Sequence, residues 1–200
     1  MDNKERIILK PSQNSICGNS YNLLNIKLLN SCNGKCEFCI AAGTPFKKSA
    51  DAQSFIDTAN SMTKFSKVDV LGGEPTLYPD LVKVLKGIRP YKKDIGIISN
   101  GSNLKIIKEC IPYLDTVTLS IHSFNYTKNS TGIHINEKEL KDLNKNKGNA
   151  EIIAAVVVTN KTVSNLKEIK SYARKAKKLG FSAIKLMELV TSNENVDFID

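Results

Sequence analysis

Short apolar runs and longer segments of helical period alternate from Asn22 to Leu189, and nothing else in this chain constrains its fold as tightly. Asn22–Leu29, Val68–Leu71, Ile95–Ile98, Asp115–Ile121, Ile152–Val158 and Ala183–Leu189 read as strands. Between them Asp51–Lys64, Pro79–Ile88, Leu104–Ile111, Ile135–Asn146 and Val163–Leu179 read as helices. Phe55, Ile56, Ala59 and Met62 recur at helical spacing, as do Leu81, Val82 and Leu85. Pro112 stops the third helix by disfavouring helical backbone in the residue before it, and Gly180 signals the end of the last. Ile152–Val158 is an unbroken, valine-rich run, as a strand buried on both faces should be. Strict alternation implies a parallel sheet with right-handed crossovers and helices packed outside it. Six strands fall short of the eight of a closed barrel, so the expected fold is α/β, a partial (β/α)6 TIM-like barrel with parallel strands. In such sheets ligands sit at the C-terminal ends of the strands, which directs attention to the loops that follow them.

At 200 residues the chain suits a single domain that folds without disulfides. We expect an N-terminal extension over residues 1–20, broken by Pro11, Ser12 and Gly18, a core over 21–190 and a C-terminal tail over 191–200. The formal charge of +9 raises the question of nucleic acid. The positive residues are spread over many segments, however, so a nucleic-acid partner is not expected. Their densest run, Arg174, Lys175, Lys177 and Lys178, lies in an amphipathic helix and reads as a solvated face; a docking surface for an acidic electron donor is the other reading. No apolar stretch reaches the roughly 20 residues of a membrane span, and no apolar secretory segment follows Met1, so a cytoplasmic protein without a membrane partner is expected. Reducing cytoplasm disfavours disulfides. Cys17 and Cys110 read as structural thiols.

The other three cysteines form Cys32-Asn33-Gly34-Lys35-Cys36-Glu37-Phe38-Cys39, a C-x3-C-x2-C loop just after the first strand. Three thiolates in so short a loop can cap three irons of a cubane cluster and leave the fourth open to a reacting ligand. Zinc, with a fourth ligand such as His122, is the competing reading, although zinc sites more often bring a second cysteine pair. Three further features fall at strand ends: Val70-Leu71-Gly72-Gly73-Glu74-Pro75, Ser99-Asn100-Gly101 and Ser120-Ile121-His122. Gly72 and Gly73 lack a Cβ and would let a ligand approach the backbone closely. Glu74 could accept a hydrogen bond. The histidines number only two, and His122 stands at a strand end, where it either satisfies a structural hydrogen bond or meets a ligand.

Taken together, the cysteine spacing, the aromatic Phe38 before the last cysteine and the Gly72-Gly73-Glu74-Pro75 turn resemble the radical S-adenosylmethionine (SAM) superfamily, over residues 21–190. The resemblance implies a [4Fe–4S] cluster on Cys32, Cys36 and Cys39 and SAM bound through its amino and carboxylate groups at the open iron. It implies that Phe38 flanks the adenine, that Gly72, Gly73, Glu74 and Pro75 meet the SAM amino group, and that Ser99, Asn100, Ser120 and His122 lie along the carboxylate or ribose. The expected activity is reductive cleavage of SAM to a 5′-deoxyadenosyl radical, which abstracts hydrogen from a small molecule, nucleotide or peptide. A reductant such as flavodoxin or ferredoxin is the implied partner. Within the superfamily, Leu23–Cys39, Val156-Val157-Val158 with Asn165-Leu166, and Lys185-Leu186-Met187-Glu188-Leu189 are similar to the GTP 3′,8-cyclase family of molybdenum-cofactor biosynthesis. That family carries a second cysteine triad in a C-terminal extension, whereas no cysteine follows Cys110 here, so GTP cyclisation is not assigned. An activating enzyme for a glycyl-radical protein and a non-catalytic Fe–S or zinc-binding protein stand as alternatives.

Overall fold

The computed structural model describes residues 22–39, 49–124 and 131–189. Cys17, the expected extension and the expected tail lie outside them. Six strands, β1 (Leu23–Lys27), β2 (Lys67–Leu71), β3 (Asp94–Ser99), β4 (Thr116–Ser120), β5 (Glu151–Val157) and β6 (Ala183–Met187), form one sheet in the order β1-β2-β3-β4-β5-β6. Every neighbouring pair is parallel. The crossovers carry α1 (Ala52–Ser61), α2 (Leu81–Ile88), α3 (Leu104–Cys110), α4 (Glu137–Lys145) and α5 (Leu166–Leu179). Sheet and helices make the partial (β/α)6 TIM-like barrel that the alternation implied.

Strand parity separates the two faces of the sheet. Val68 and Val70, Ile95 and Ile97, Val117 and Leu119, and Ile152, Ala154 and Val156 are all essentially inaccessible and join one core with Leu81, Leu85, Ile88, Ile107, Leu143 and Leu179 of the helices. Each such aliphatic side chain taken from water is worth roughly 1.5–3 kcal/mol. Residues of the other parity, among them Asp69, Ile98, Thr118 and Lys185, are only half-buried. Cys110 is fully buried in the core, and burial pushes its thiol up to about 12, which makes it chemically inert at neutral pH.

The elements are shorter than periodicity suggested, and the reasons are local. Asp51 caps α1 by accepting from the Ser54 amide at 3.0 Å, and Asn165 caps α5 by accepting from Glu168, so the apolar Val163 belongs to the preceding loop. Asn103 and Asn136 cap α3 and α4 in the same way. Gly180, at φ 92°, closes α5 in the left-handed conformation. Proline opens three single 3-10 turns, Pro75–Leu77, Arg89–Tyr91 and Ile111–Tyr113, that the sequence reading did not separate from their neighbours. Part of the positive charge is structural: the buried Lys92 donates to the carbonyls of Met62 and Phe65, closing the end of α1. Of the basic run on α5, Lys175 pairs with Glu137 of α4, while Arg174, Lys177 and Lys178 are exposed. Among the described residues no helix is long and apolar enough to cross a membrane.

Candidate active site at the C-terminal ends of the strands

The cysteine loop leaves β1 through Leu28 and Leu29, both buried, and stays attached to the end of β2. Leu28 N–H donates to Leu71 O at 2.9 Å, Gly73 N–H to Leu29 O at 2.8 Å and Glu74 N–H to Ser31 O at 2.8 Å. This pairing explains the two glycines. A Cβ on Gly73 would stand 2.0 Å from Ser31 O and 2.7 Å from Asn30 O, and one on Gly72 would stand 2.9 Å from Leu29 O. The space opened by the missing side chains is therefore occupied by the chain's own backbone at the base of the cysteine loop.

Glu74 is completely buried, and its carboxylate is an internal hub rather than a group facing the loop cavity. Oε1 accepts from Thr76 N at 3.0 Å, Thr76 Oγ1 at 2.6 Å and Ser99 Oγ at 2.8 Å, while Oε2 accepts from Asn100 N at 2.7 Å. Four donors satisfy a carboxylate that would otherwise be costly to bury. Pro75 is buried at the start of the 3-10 turn that Glu74 caps. Ser99 is buried too, and its hydroxyl also accepts from Gly101 N, so both its bonds stay inside the protein. Gly101 holds φ 74°, turning the chain so that Asn100 faces the cysteine loop. Asn100 Nδ2 donates to Asn33 Oδ1 at 2.9 Å and to Cys32 Sγ at 3.7 Å. Asn33 Nδ2 in turn donates to Ser102 Oγ at 3.0 Å.

Farther along the loop, Lys35 N–H donates to Thr131 O and Glu37 pairs with Lys161 at 2.7 Å. The Phe38 ring meets that of His122 edge-on, with centroids 4.6 Å apart. His122 is buried, its Nδ1 accepts from Val157 N–H at 3.3 Å, and burial drives its pKa down to about 4. It is neutral at pH 7, with the proton on Nε2, because Nδ1 is already an acceptor. Ser120, half-buried at the end of β4, lines a small pocket together with Asn100, Thr131 and Ile133. The loop contacts of Asn33, Glu37, Ser102 and Lys161 had no signal in the spacing of the cysteines.

Cys32 is exposed; Cys36 and Cys39 are half-buried. Cys36 is pushed up to about 11 by burial and, to a lesser degree, by the neighbouring Cys39 and Cys32. Cys39 N–H donates to Cys36 O at 3.2 Å, which sets the last two cysteines in one turn, and all three sulfurs belong to the one loop. Among the described residues they do not converge into a preassembled metal site, nor does any other group of His, Cys, Asp or Glu. The donor set nonetheless fits an iron–sulfur cluster: three soft ligands, N–H groups aimed at one of them, and thiols that a bound cation would deprotonate.

A family model described as the radical SAM superfamily matches residues 26–197. The chain belongs to the radical SAM superfamily. Among curated members, a probable GTP 3′,8-cyclase of Thermococcus kodakarensis is 33% identical over 107 residues, covering 50% of this chain and 34% of the relative. An S-adenosylmethionine-dependent nucleotide dehydratase of Flammeovirga pacifica is 32% identical over 122 residues, covering 53% and 40%. This radical SAM chain thus spans well under two thirds of the length of the curated relatives it matches. Among solved structures, Streptococcus suis SuiB bound to S-adenosylmethionine shares the fold with a TM-score of 0.74 at 21% identity, over 88% of this chain and 43% of SuiB.

Proposed function

We propose that this chain is a radical SAM enzyme whose Cys32, Cys36 and Cys39 hold a [4Fe–4S] cluster, with SAM bound at the iron the cysteines leave free. What carries the reading is the hydrogen-bonded joining of the C-x3-C-x2-C loop to the Gly72-Gly73-Glu74-Pro75 turn at the ligand-facing rim of the sheet. Cys32, Cys36 and Cys39 would hold the cluster, which would supply one-electron chemistry for reductive cleavage of SAM and, through the resulting radical, hydrogen abstraction from the substrate. The chain's own residues position and shield. The loop between Leu29 and Cys39 is fixed at its base by Gly73 and Glu74 and near its far end by Lys161. Phe38 and the neutral His122 make an apolar wall beside the cysteines, suited to the adenine face and to keeping water from a radical. Ser120, which lines the small pocket with Ser123 and Thr131, offers a hydroxyl for the carboxylate or ribose, and Asn100 borders the same pocket. The backbone of the glycine turn, rather than the Glu74 carboxylate, is the element available to the SAM amino group. The curated relatives that act on nucleotides support a nucleotide as the first substrate class to test, ahead of a peptide or another small molecule. A flavodoxin or ferredoxin would deliver the electron.

The test is anaerobic reconstitution with iron and sulfide, followed by dithionite or a flavodoxin system and quantification of 5′-deoxyadenosine. The expected result is cluster formation and SAM cleavage in the native chain and neither in Cys32→Ala, Cys36→Ala or Cys39→Ala. A cluster that never cleaves SAM with any reductant refutes enzyme activity. A zinc-loaded, iron-free protein refutes the cluster.

A further inference from the structure

We infer that Asn100 tunes the cysteine site electronically: its amide N–H donates to the sulfur of Cys32, and Glu74 holds it there. The inference rests on the cluster reading above. Among the described residues, two N–H groups point at cysteine sulfur and both meet Cys32, from Gly34 N at 3.3 Å and from Asn100 Nδ2 at 3.7 Å. The first is local to the loop. The second arrives from the end of β3, a chain separation of 68 residues, and the backbone N–H and side-chain amide of Asn100 are otherwise tied down. Its N–H donates to Glu74 Oε2, its Oδ1 accepts from Ser102 N at 2.9 Å, and its second amide hydrogen goes to Asn33 Oδ1. Glu74 is in turn immobilised by Thr76 and Ser99. A side chain so constrained presents its N–H dipole to Cys32 at a fixed orientation.

The electronic consequence follows from charge. Adding an electron to a cluster increases the negative charge shared by its thiolate ligands. An N–H dipole directed at one of those sulfurs stabilises the reduced form more than the oxidised form, which raises the potential. Asn100 is thus a positioning residue that acts through Cys32. A purely mechanical role, in which Asn100 only ties the loop down through Asn33, predicts a different pattern.

The experiment compares the reconstituted native chain with Asn100→Ala, Asn100→Asp and Asn33→Ala, measuring iron and sulfide content and the midpoint potential by EPR of samples poised at set potentials. Asn100→Asp keeps the acceptor for Ser102 N and so preserves the turn if the alanine variant does not fold. The expected result is native iron content with the midpoint shifted to lower potential in both Asn100 variants, further for Asp because it adds a charge. Asn33→Ala should remain at the native potential, since the donor to Cys32 is intact. The inference is overturned if Asn100→Ala, or Asn100→Asp where only that variant folds, loads iron at the native potential. It is equally overturned if Asn33→Ala shifts as far as the Asn100 variants, or if Asp alone shifts and Ala does not. A native chain that assembles no cluster overturns the functional reading itself, and this inference with it.

Discussion

Replacing Gly73 with alanine should detach the cysteine loop while leaving the sheet intact. The added methyl group would stand 2.0 Å from Ser31 O, 2.4 Å from Ser31 C and 2.7 Å from Asn30 O, all main-chain atoms that no rotamer change can move aside. Relief requires the loop base to withdraw by about an ångström, because ordinary carbon–oxygen contacts lie beyond 3 Å. That withdrawal breaks two short bonds, Gly73 N to Leu29 O and Glu74 N to Ser31 O, each 2.8 Å. Two lost backbone hydrogen bonds at about 1 kcal/mol each, with residual overpacking of about 1–2 kcal/mol, put the total near 2–4 kcal/mol. Cys32 moves with Ser31, so the cluster should suffer more than the fold. The assay pairs urea unfolding with iron content after anaerobic reconstitution. We expect Gly73→Ala to lose that stability and most of its iron, whereas Gly87→Ala, whose methyl would stand 2.5 and 2.7 Å from Ile56 Cδ1 and Cγ1 in the helix layer away from the cysteines, should lose stability and keep its iron. Native iron loading in Gly73→Ala, with stability changed by less than about 0.5 kcal/mol, would mean that the joining of loop and turn does not organise the site.

Two other perturbations test neighbouring parts of the argument. Glu74→Gln keeps the shape but turns an N–H2 toward one of the four donors, so chemical denaturation should report a loss on the order of 2–3 kcal/mol; stability equal to the native chain would show that the buried hub is not a carboxylate acceptor. His122, held near 4 against an ordinary 6.5, stays neutral when folded while the unfolded chain takes up a proton. Its stabilisation is complete above pH 6.5 and lost as pH falls toward 4, by an amount on the order of 3 kcal/mol. The comparison is with His122→Asn, whose carbonyl can still accept from Val157 N–H; equal losses in the two proteins between pH 7.5 and 4.5 would contradict the assignment.

The fold was legible because its signals are local. Each strand centre is a run such as Val68–Leu71 or Ile152–Val158, whose apolar residues supply the fully buried positions of the sheet. Element ends were less legible. Val163 continues the apolar period of α5, but Asn165 competes for the backbone and starts the helix later. Pro90 and Pro112 punctuate the chain, yet the sequence does not distinguish a helix stop from a 3-10 turn that extends it. At the site, cysteine spacing was sufficient to place the loop after β1. The destination of Glu74 was not readable, because its partners Ser99 and Asn100 lie 25 and 26 residues away on the next strand. Gly72 and Gly73 announced a close approach without saying which atoms approach. Sequence alone pointed to a ligand, and the geometry adds that Ser31 and Leu29 lie where the missing side chains would be.

The Glu74 carboxylate has a bearing on how such a protein can diversify. It fastens the segment after β2 to the one after β3, and through Asn100 to the one after β1, so three loops move as a single keel. A change at Ser99 is then felt at Cys32, and drift anywhere in that half of the rim is penalised by its effect on the sulfur ligands. Among the described residues, the loop beyond β5 carries no such tether to the carboxylate. New specificities can arise on that side while the tethered half keeps its alignment.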